Sequence, residues 1–391
     1  MAISTAVALP PARHEETAAN HEHALEVVGS ESFDAIARVL DAVRTHLDVD
    51  VAYIGEFLGG AEVVRHIAGD GSSAGLEQGA TLPLEPISLD RPLVAAPIRF
   101  SNGHLYGTLC AVGGNAEPLH TRDERFLRVL AALIAETLEG QETEAKQRRT
   151  CVERIRRVIE GRHRLAIVLQ PIVDLSSGAV VGCEALARFR FPPLRTPDRW
   201  FAEAWQVGLG MELERTALRA ALAHLPQLGD DMYISINVSP EVIVSPTLEE
   251  TIPEAAAERV VLELTEHVPV DDYESLTVAI ERHRRRGTRL AIDDTGAGFA
   301  SLRHILRLRP DIVKLDVSLT RGLDGDRMRW ALSEALLHFG RKIGAGIIAE
   351  GVESRSDLRT LQIIGFQYGQ GRALHSPHAP PIPDAINLEE A

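Results

Sequence analysis

A chain of 391 residues, 45% apolar and 25% charged, has the composition of a globular protein with room for two domains, each with its own core. Its formal net charge of −15 repels polyanions and excludes an extended DNA- or RNA-binding face, while a bound cation can still recruit a small phosphate ligand. No apolar run approaches the roughly 20 residues of a membrane span, and the first residues lack a secretory pattern, so a cytoplasmic location without a membrane partner is expected. The three scattered cysteines, Cys110, Cys151 and Cys183, suit neither a disulfide framework nor a cysteine zinc site.

Residues 1–30 are polar, rich in Ala and His and without periodicity, which predicts a disordered tail. Residues 31–139 then read as a small α+β domain. Ile36, Val39, Leu40, Val43 and Leu47 fall at helical spacing, and short strands follow at 51–54 and 62–64 around Gly59-Gly60. Further strands at 93–98 and 107–112 flank the turn Ser101-Asn102-Gly103, and an amphipathic helix over 123–138 closes the unit. Residues 140–163 predict a charged helical linker. Leu138, Ala145, Val152 and Ile159 recur every seven residues, compatible with a coiled-coil seam between two chains or with a plain connector helix.

From 164 to 380 one theme repeats, with a tail over 381–391. Short β-branched strands, each ending in a polar residue, are predicted at 165–169, 179–184, 232–237, 260–263, 290–293, 312–315, 346–350 and 366–370. Eight such units, most followed by helical patterning, predict a closed (β/α)8 barrel of TIM type. Only residues 173–178 separate the first two strands, too few for a crossover helix, so the first strand is expected to run antiparallel.

The polar strand-end residues are Glu184, Asn237, Glu263, Asp293 with Asp294, Lys314, Glu350 and Gln370. In a barrel these ends converge on one rim. A lone strand-end carboxylate is usually a helix N-cap or a surface ion pair. Seven strand ends in succession carrying such groups call for another cause. Five carboxylates together repel one another without cations, and an oxygen-rich set suits Mg2+ or Mn2+. The adjacent Asp293 and Asp294 can serve two metals, the arrangement that clamps the attacking and leaving oxygens of a phosphoryl displacement. Lys314 is costly to bury without anionic company, and beside this cluster it can hold the attacking water or offset developing charge.

Two resemblances follow from the motifs. Ala96-Pro97-Ile98 and Tyr106-Gly107-Thr108-Leu109-Cys110 resemble the closing part of a GAF domain, whose usual ligand-pocket region is short here. Gln170-Pro171-Ile172-Val173, Glu184-Ala185-Leu186-Ala187-Arg188, Asn237-Val238-Ser239-Pro240, Glu263-Leu264-Thr265-Glu266, Asp293-Asp294, Lys314-Leu315-Asp316, Glu350-Gly351-Val352-Glu353 and Gln370-Gly371 resemble the EAL-domain cyclic di-GMP phosphodiesterases. That resemblance implies hydrolysis of cyclic di-GMP to linear pGpG by metal-activated water, with two Mg2+ or Mn2+ per site and no organic cofactor. It implies metal ligation by Glu184, Asn237, Glu263, Asp293, Asp294 and Glu350, with Glu184, Glu350 and Lys314 at the reaction centre. Gln170, Arg188 and Gln370 match positions facing the dinucleotide or its water, Glu266 and Glu353 match supporting acids of the loops, and a homodimer is the expected assembly. The alternative within the family is a receptor that holds the dinucleotide without cleaving it, which would lack a metal ligand. Thr295 stands where Phe is usual and Arg372 where an aromatic is common.

Overall fold

The computed structural model describes residues 30–72, 75–83, 93–113, 121–161, 163–264, 270–295 and 300–389, and it divides into two units, Met1–Arg149 and Thr150–Ala391. The tail expected over residues 1–30 lies almost wholly outside the described residues.

In the first unit α1 (Ser30–Leu47) precedes β1 (Val49–Leu58), β2 (Ala61–Gly69), β3 (Thr81–Pro83), β4 (Leu93–Arg99) and β5 (Leu105–Gly113), and α2 (Thr121–Glu160) follows. The strands form an antiparallel sheet in the order β3-β2-β1-β5-β4. Side chains alternate across it. Ala52, Ile54, Leu109 and Ala111 meet Ile36, Leu40 and Val43 of α1 and Leu127, Ala131, Ile134 and Leu138 of α2 on one face. On the other face Val51, Tyr53, Cys110 and Val112 pack with Leu76 and Leu82.

The second unit is a closed barrel. Its strands are β6 (Leu165–Asp174), β7 (Val180–Phe189), β8 (Tyr233–Asn237), β9 (Val260–Leu264), β10 (Arg289–Thr295), β11 (Ile312–Leu315), β12 (Gly346–Ala349) and β13 (Tyr368–Gly369). β6 runs antiparallel to both its neighbours, β7 and β13, and every other pair is parallel. This modified TIM barrel carries the single reversed strand that the short 173–178 connection demands. The barrel floor is apolar, built from Ile172, Tyr233, Val261, Ala291, Ile312 and Ile348. Because the side-chain period of a strand is two, each floor residue dictates what stands one layer above it. Val261 places Glu263, Ala291 places Asp293, Ile312 places Lys314 and Ile348 places Glu350.

Two stretches pack more closely than their composition suggests. Residues 381–389 run along the β6–β7 hairpin: Ile382 is buried, Val180 N donates to Asp384 O at 2.9 Å and Ile386 N to Gly178 O at 2.7 Å. The sevenfold apolar recurrence also has a local cause. Leu138 belongs to the first unit's core, while Ile155 and Val158, with Val152 and Ile159 beside them, pack in the second unit against Phe189, Trp200, Ala204 and Leu213. Three of the four seam residues therefore pack at least in part within the units, with Val152 and Ile159 only partly buried.

Trp200 anchors that flank. It is fully buried, stacks on Phe189 with ring centroids 5.0 Å apart, and carries Arg154 over its face. Trp200→Ala should lower the stability of the barrel by about 3–5 kcal/mol, the usual cost of emptying a buried Trp site. Urea unfolding of the full chain followed by circular dichroism measures this, and an unchanged midpoint would show that the flank is not part of the barrel core.

Candidate active site

Lys314, the third residue of β11, is 1% exposed at the centre of the rim layer. Its Nζ lies 2.7 Å from Glu350 Oε1, 3.0 Å from Asp293 Oδ1 and 3.3 Å from Glu184 Oε2, and it also contacts Glu263 Oε1. Strands β7, β9 and β10 and the residue just past β12 thus deliver four carboxylates to the one ammonium group on β11. Two of these acids, Glu263 and Glu184, are also held by uncharged donors. Ser235 Oγ donates to Glu263 Oε2 at 2.7 Å, Asn237 Nδ2 to Glu184 Oε1 at 3.2 Å, and Gln370 Nε2 to Glu184 Oε2 at 2.6 Å. Gln370 Nε2 also reaches Gln170 Oε1 at 3.1 Å, which brings Gln170 into the network from the paired strand β6. Gly371 is glycine for a steric reason, since a Cβ there would strike the backbone of Val352.

Charge is out of balance in this cluster. Four ionised acids around one ammonium carry a formal −3, in a site with little water to screen it. Burial, reinforced by Asp293 and Glu184 against the pull of Lys314, pushes the Glu350 carboxyl up to about 8 and the Glu263 carboxyl well above its ordinary range. Burial alone would lower the Lys314 pKa, but the carboxylates around it win and raise it well above its usual value. Glu263 Oε1 and Asp293 Oδ1 are buried against Lys314 Nζ and accept from no other donor among the described residues, and the buried Gln370 Oε1 has no hydrogen-bond partner there. Oxygens of Glu184, Glu263 and Glu350 lie within 4.8 Å of one another, a spacing that one hard divalent cation at about 2.0–2.6 Å from each can bridge. Excess negative charge, several carboxylates sharing one ammonium and an all-oxygen donor set fit Mg2+ or Mn2+.

The remaining expected site residues fall in three places. Asp294 is on β10 with its side chain outside the described ones, and Glu266 lies outside the described residues altogether. Arg188 stands on the same hairpin as Gln170 and Glu184, its Nη1 donating to Ala187 O at 2.8 Å. Glu353 is not in the cluster. It pairs at the surface with Arg321 at 2.9 Å and Arg372 at 2.8 Å, and the hydrogen bond from Arg372 lowers its pKa. That pairing accounts for an arginine at position 372. One geometric expectation needs correction: Glu184 is mid-strand, because the antiparallel β6–β7 ladder continues five residues beyond it to Phe189.

Two residues went unnoticed in the sequence. Ser235 has a readable signal, since Tyr233, Ser235 and Asn237 share the inward face of β8. Glu214, a buried acid whose Oε2 accepts from Ser239 N at 2.9 Å, has none, for it is one of many acids on amphipathic helices.

The EAL domain profile matches residues 152–377, and the GAF domain profile matches residues 34–138. Cyclic di-GMP phosphodiesterase PA2567 of Pseudomonas aeruginosa is 32% identical over 232 residues, covering 56% of this chain and 39% of that protein. The chain thus spans well under half the length of that curated relative. The PaMucR phosphodiesterase in complex with c-di-GMP superposes with a TM-score of 0.51 at 28% identity, over 59% of this chain and 98% of that one. A standalone EAL protein from Vibrio cholerae O395 in its c-di-GMP-bound form gives a TM-score of 0.51 at 26% identity, over 58% and 98%. Among the described residues no helix is long and apolar enough to cross a membrane.

Paramagnetic resonance titration with Mn2+ tests the cation fit directly. Glu263→Gln keeps the shape and one acceptor but removes the charge at the most deeply buried oxygen pair. It should weaken Mn2+ binding by at least about ten-fold. Equal affinity in the variant would mean that Glu263 is not a ligand.

Proposed function

The chain belongs to the EAL domain family, and from that premise we propose that it hydrolyses one phosphodiester of cyclic di-GMP to give linear pGpG. The observation that carries the proposal is the buried Lys314 ringed by Glu184, Glu263, Asp293 and Glu350, with Asn237 and Gln370 on the same rim. No expected metal ligand is replaced in the sequence, which favours an enzyme over a receptor that only holds the dinucleotide.

Two divalent cations held by Glu184, Asn237, Glu263, Asp293, Asp294 and Glu350 would supply Lewis-acid polarisation of the phosphoryl group and a more acidic water. The chain's own residues do the rest. Lys314 keeps its proton throughout, because four acids hold its pKa up. It acts as a fixed positive charge that orients the attacking water and offsets charge gathering on the phosphoryl oxygens. Glu350 and Glu184 fix Nζ from two sides, at 2.7 and 3.3 Å. The water oxygen bonds to phosphorus and the P–O3′ bond breaks, so the phosphate stays on the 5′ oxygen of pGpG and the 3′ oxygen takes a proton. Gln370 braces Glu184 and Gln170. Arg188 offers a charge-assisted contact to a substrate phosphate, and Gln170 faces the dinucleotide beside it. Glu266 and Glu353 support the loops around the rim. We further propose a cytoplasmic homodimer in which the GAF domain adjusts turnover without adding catalytic groups.

Purified protein with Mg2+ and cyclic di-GMP should yield pGpG on chromatography, with loss of turnover in excess EDTA and suppression by Ca2+. Undiminished turnover after metal removal would defeat the proposal. Lys314→Ala should lower kcat by about 100-fold or more while leaving substrate affinity in place. Arg188→Ala should chiefly raise KM, by about ten-fold. A Lys314→Ala enzyme with near-normal kcat would remove the lysine from the mechanism. Deleting residues 1–148 should leave pGpG formation intact and change kcat; an unaltered kcat would argue against control by the GAF domain.

A further inference from the structure

Asn237 is the least sheltered member of the cluster. It ends β8 and is exposed, so packing does not fix its amide. Besides the hydrogen bond from its Nδ2 to Glu184 Oε1 at 3.2 Å, its position depends on the backbone just beyond. Val238 N donates to Glu263 O at 3.0 Å, and Ser239 N donates to Glu214 Oε2 at 2.9 Å. Ser239 is also the N-cap of α5 (Pro240–Val244), its hydroxyl accepting from Val242 N.

Glu214 lies on α4 (Gly210–Leu222), an amphipathic helix whose other buried residues are Gly210, Leu213, Leu218 and Ala221. An apolar side chain at 214 would suit that face equally well for packing. It would strand the buried N–H of Ser239, a loss comparable to an unmade buried hydrogen bond. The second oxygen is committed too: Glu214 Oε1 accepts from Trp205 Nε1 at 2.8 Å. Trp205 closes α3 (Pro197–Gln206), and its indole lies against Gly210, where any Cβ would collide with the ring. A buried carboxylate with one oxygen on a rim turn and the other on a neighbouring helix is a device for holding the turn at a set distance from that helix.

We propose that Glu214 is a positioning residue for the Asn237 amide: through Ser239 it holds the turn that carries this ligand, and through Trp205 it ties the turn to α3. The proposal rests on the reading of the rim as a cation site. Outer partners of metal ligands commonly govern affinity by about 10- to 100-fold without touching the ion.

The test is Mn2+ binding to the full chain, read by paramagnetic resonance, together with thermal unfolding of each variant. Glu214→Ala should weaken Mn2+ binding by about ten-fold. Glu214→Gln keeps a carbonyl acceptor for Ser239 and loses the acceptor for Trp205, so it should recover most of the affinity. In an Asn237→Ala background, Glu214→Ala should add no further loss, since the group it positions is gone. Where Glu214→Ala unfolds at the assay temperature, the glutamine variant carries the same comparison with a smaller drop. Unchanged Mn2+ affinity in a folded Glu214 variant overturns the proposal. So does a loss that is the same size with and without Asn237, because that is the mark of a merely structural role. Failure of the wild-type chain to bind Mn2+ at all would instead overturn the cation-site reading, and the two results are distinct.

Discussion

The rim of the barrel is organised around one electrostatic constraint: four carboxylates are gathered in a buried layer with a single ammonium among them. Desolvation makes each charge costly, and only close opposite charge repays it. Lys314 repays part of that cost, and its contacts run to every acid in the layer. The remaining donors fit the same logic. Ser235, Asn237 and Gln370 each hydrogen-bond a carboxylate of the ring, so the polar layer is a network and not a set of separate pairs. A cluster still short of positive charge is a receptor for cations, and a cation held there is a receptor for phosphate. A protein with a net charge of −15 can thereby take an anionic substrate.

Reversal of the first strand shapes what surrounds this layer. Antiparallel pairing lets β6 and β7 continue as a two-stranded extension past the level of Glu184. Gln170 faces Glu184 across the ladder, and Arg188 stands four residues further along the extension. The same extension ends in Phe189, which stacks on Trp200 and so meets the flank where Ile155 and Val158 pack. A strictly parallel barrel would have ended near Glu184 and supplied neither the Arg188 platform nor that seat.

Much of this was legible in the residues, and the reasons are specific. Strands of the barrel show as short β-branched runs, and their inward faces show because period two links an apolar floor residue to a polar one above it, as in Val261 and Glu263 or Ile312 and Lys314. The six-residue connection at 173–178 announced the reversed strand. Length of β7 was not legible, since nothing in residues 184–189 marks where an antiparallel ladder stops. Spacing was ambiguous at Val152 and Ile159: a seven-residue recurrence is produced equally by a seam between chains and by a helix face packed on its own domain. Glu214 and Glu353 illustrate the opposite failures. One acid is buried and holds the turn beyond Asn237 while its sequence neighbourhood looks solvated. The other carries a family position yet pairs at the surface with Arg321 and Arg372.

Those last elements also limit how the proposed control by the GAF domain can work. None of the site's described side chains comes from residues before 150, so influence on the chemistry must travel as a shift in geometry. The end of α2 offers the physical means. Ile155 and Val158 are fully committed to the apolar flank, while Arg154 holds Glu203 of α3 at 2.6 Å, in a half-buried ion pair that Arg195 also joins. Apolar contacts of this kind tolerate little displacement before voids open, so under the proposed control a change in the helix end would move α3 with it. From α3 two contacts lead inward: Trp200 to Phe189 on the strand that bears Glu184 and Arg188, and Trp205 to Glu214 and the turn that bears Asn237. The first route ends on the proposed substrate contact Arg188 and the proposed ligand Glu184, the second on the proposed ligand Asn237 alone. A signal carried mainly by Trp200 would therefore alter KM and kcat together, whereas one carried by Trp205 would alter metal affinity first.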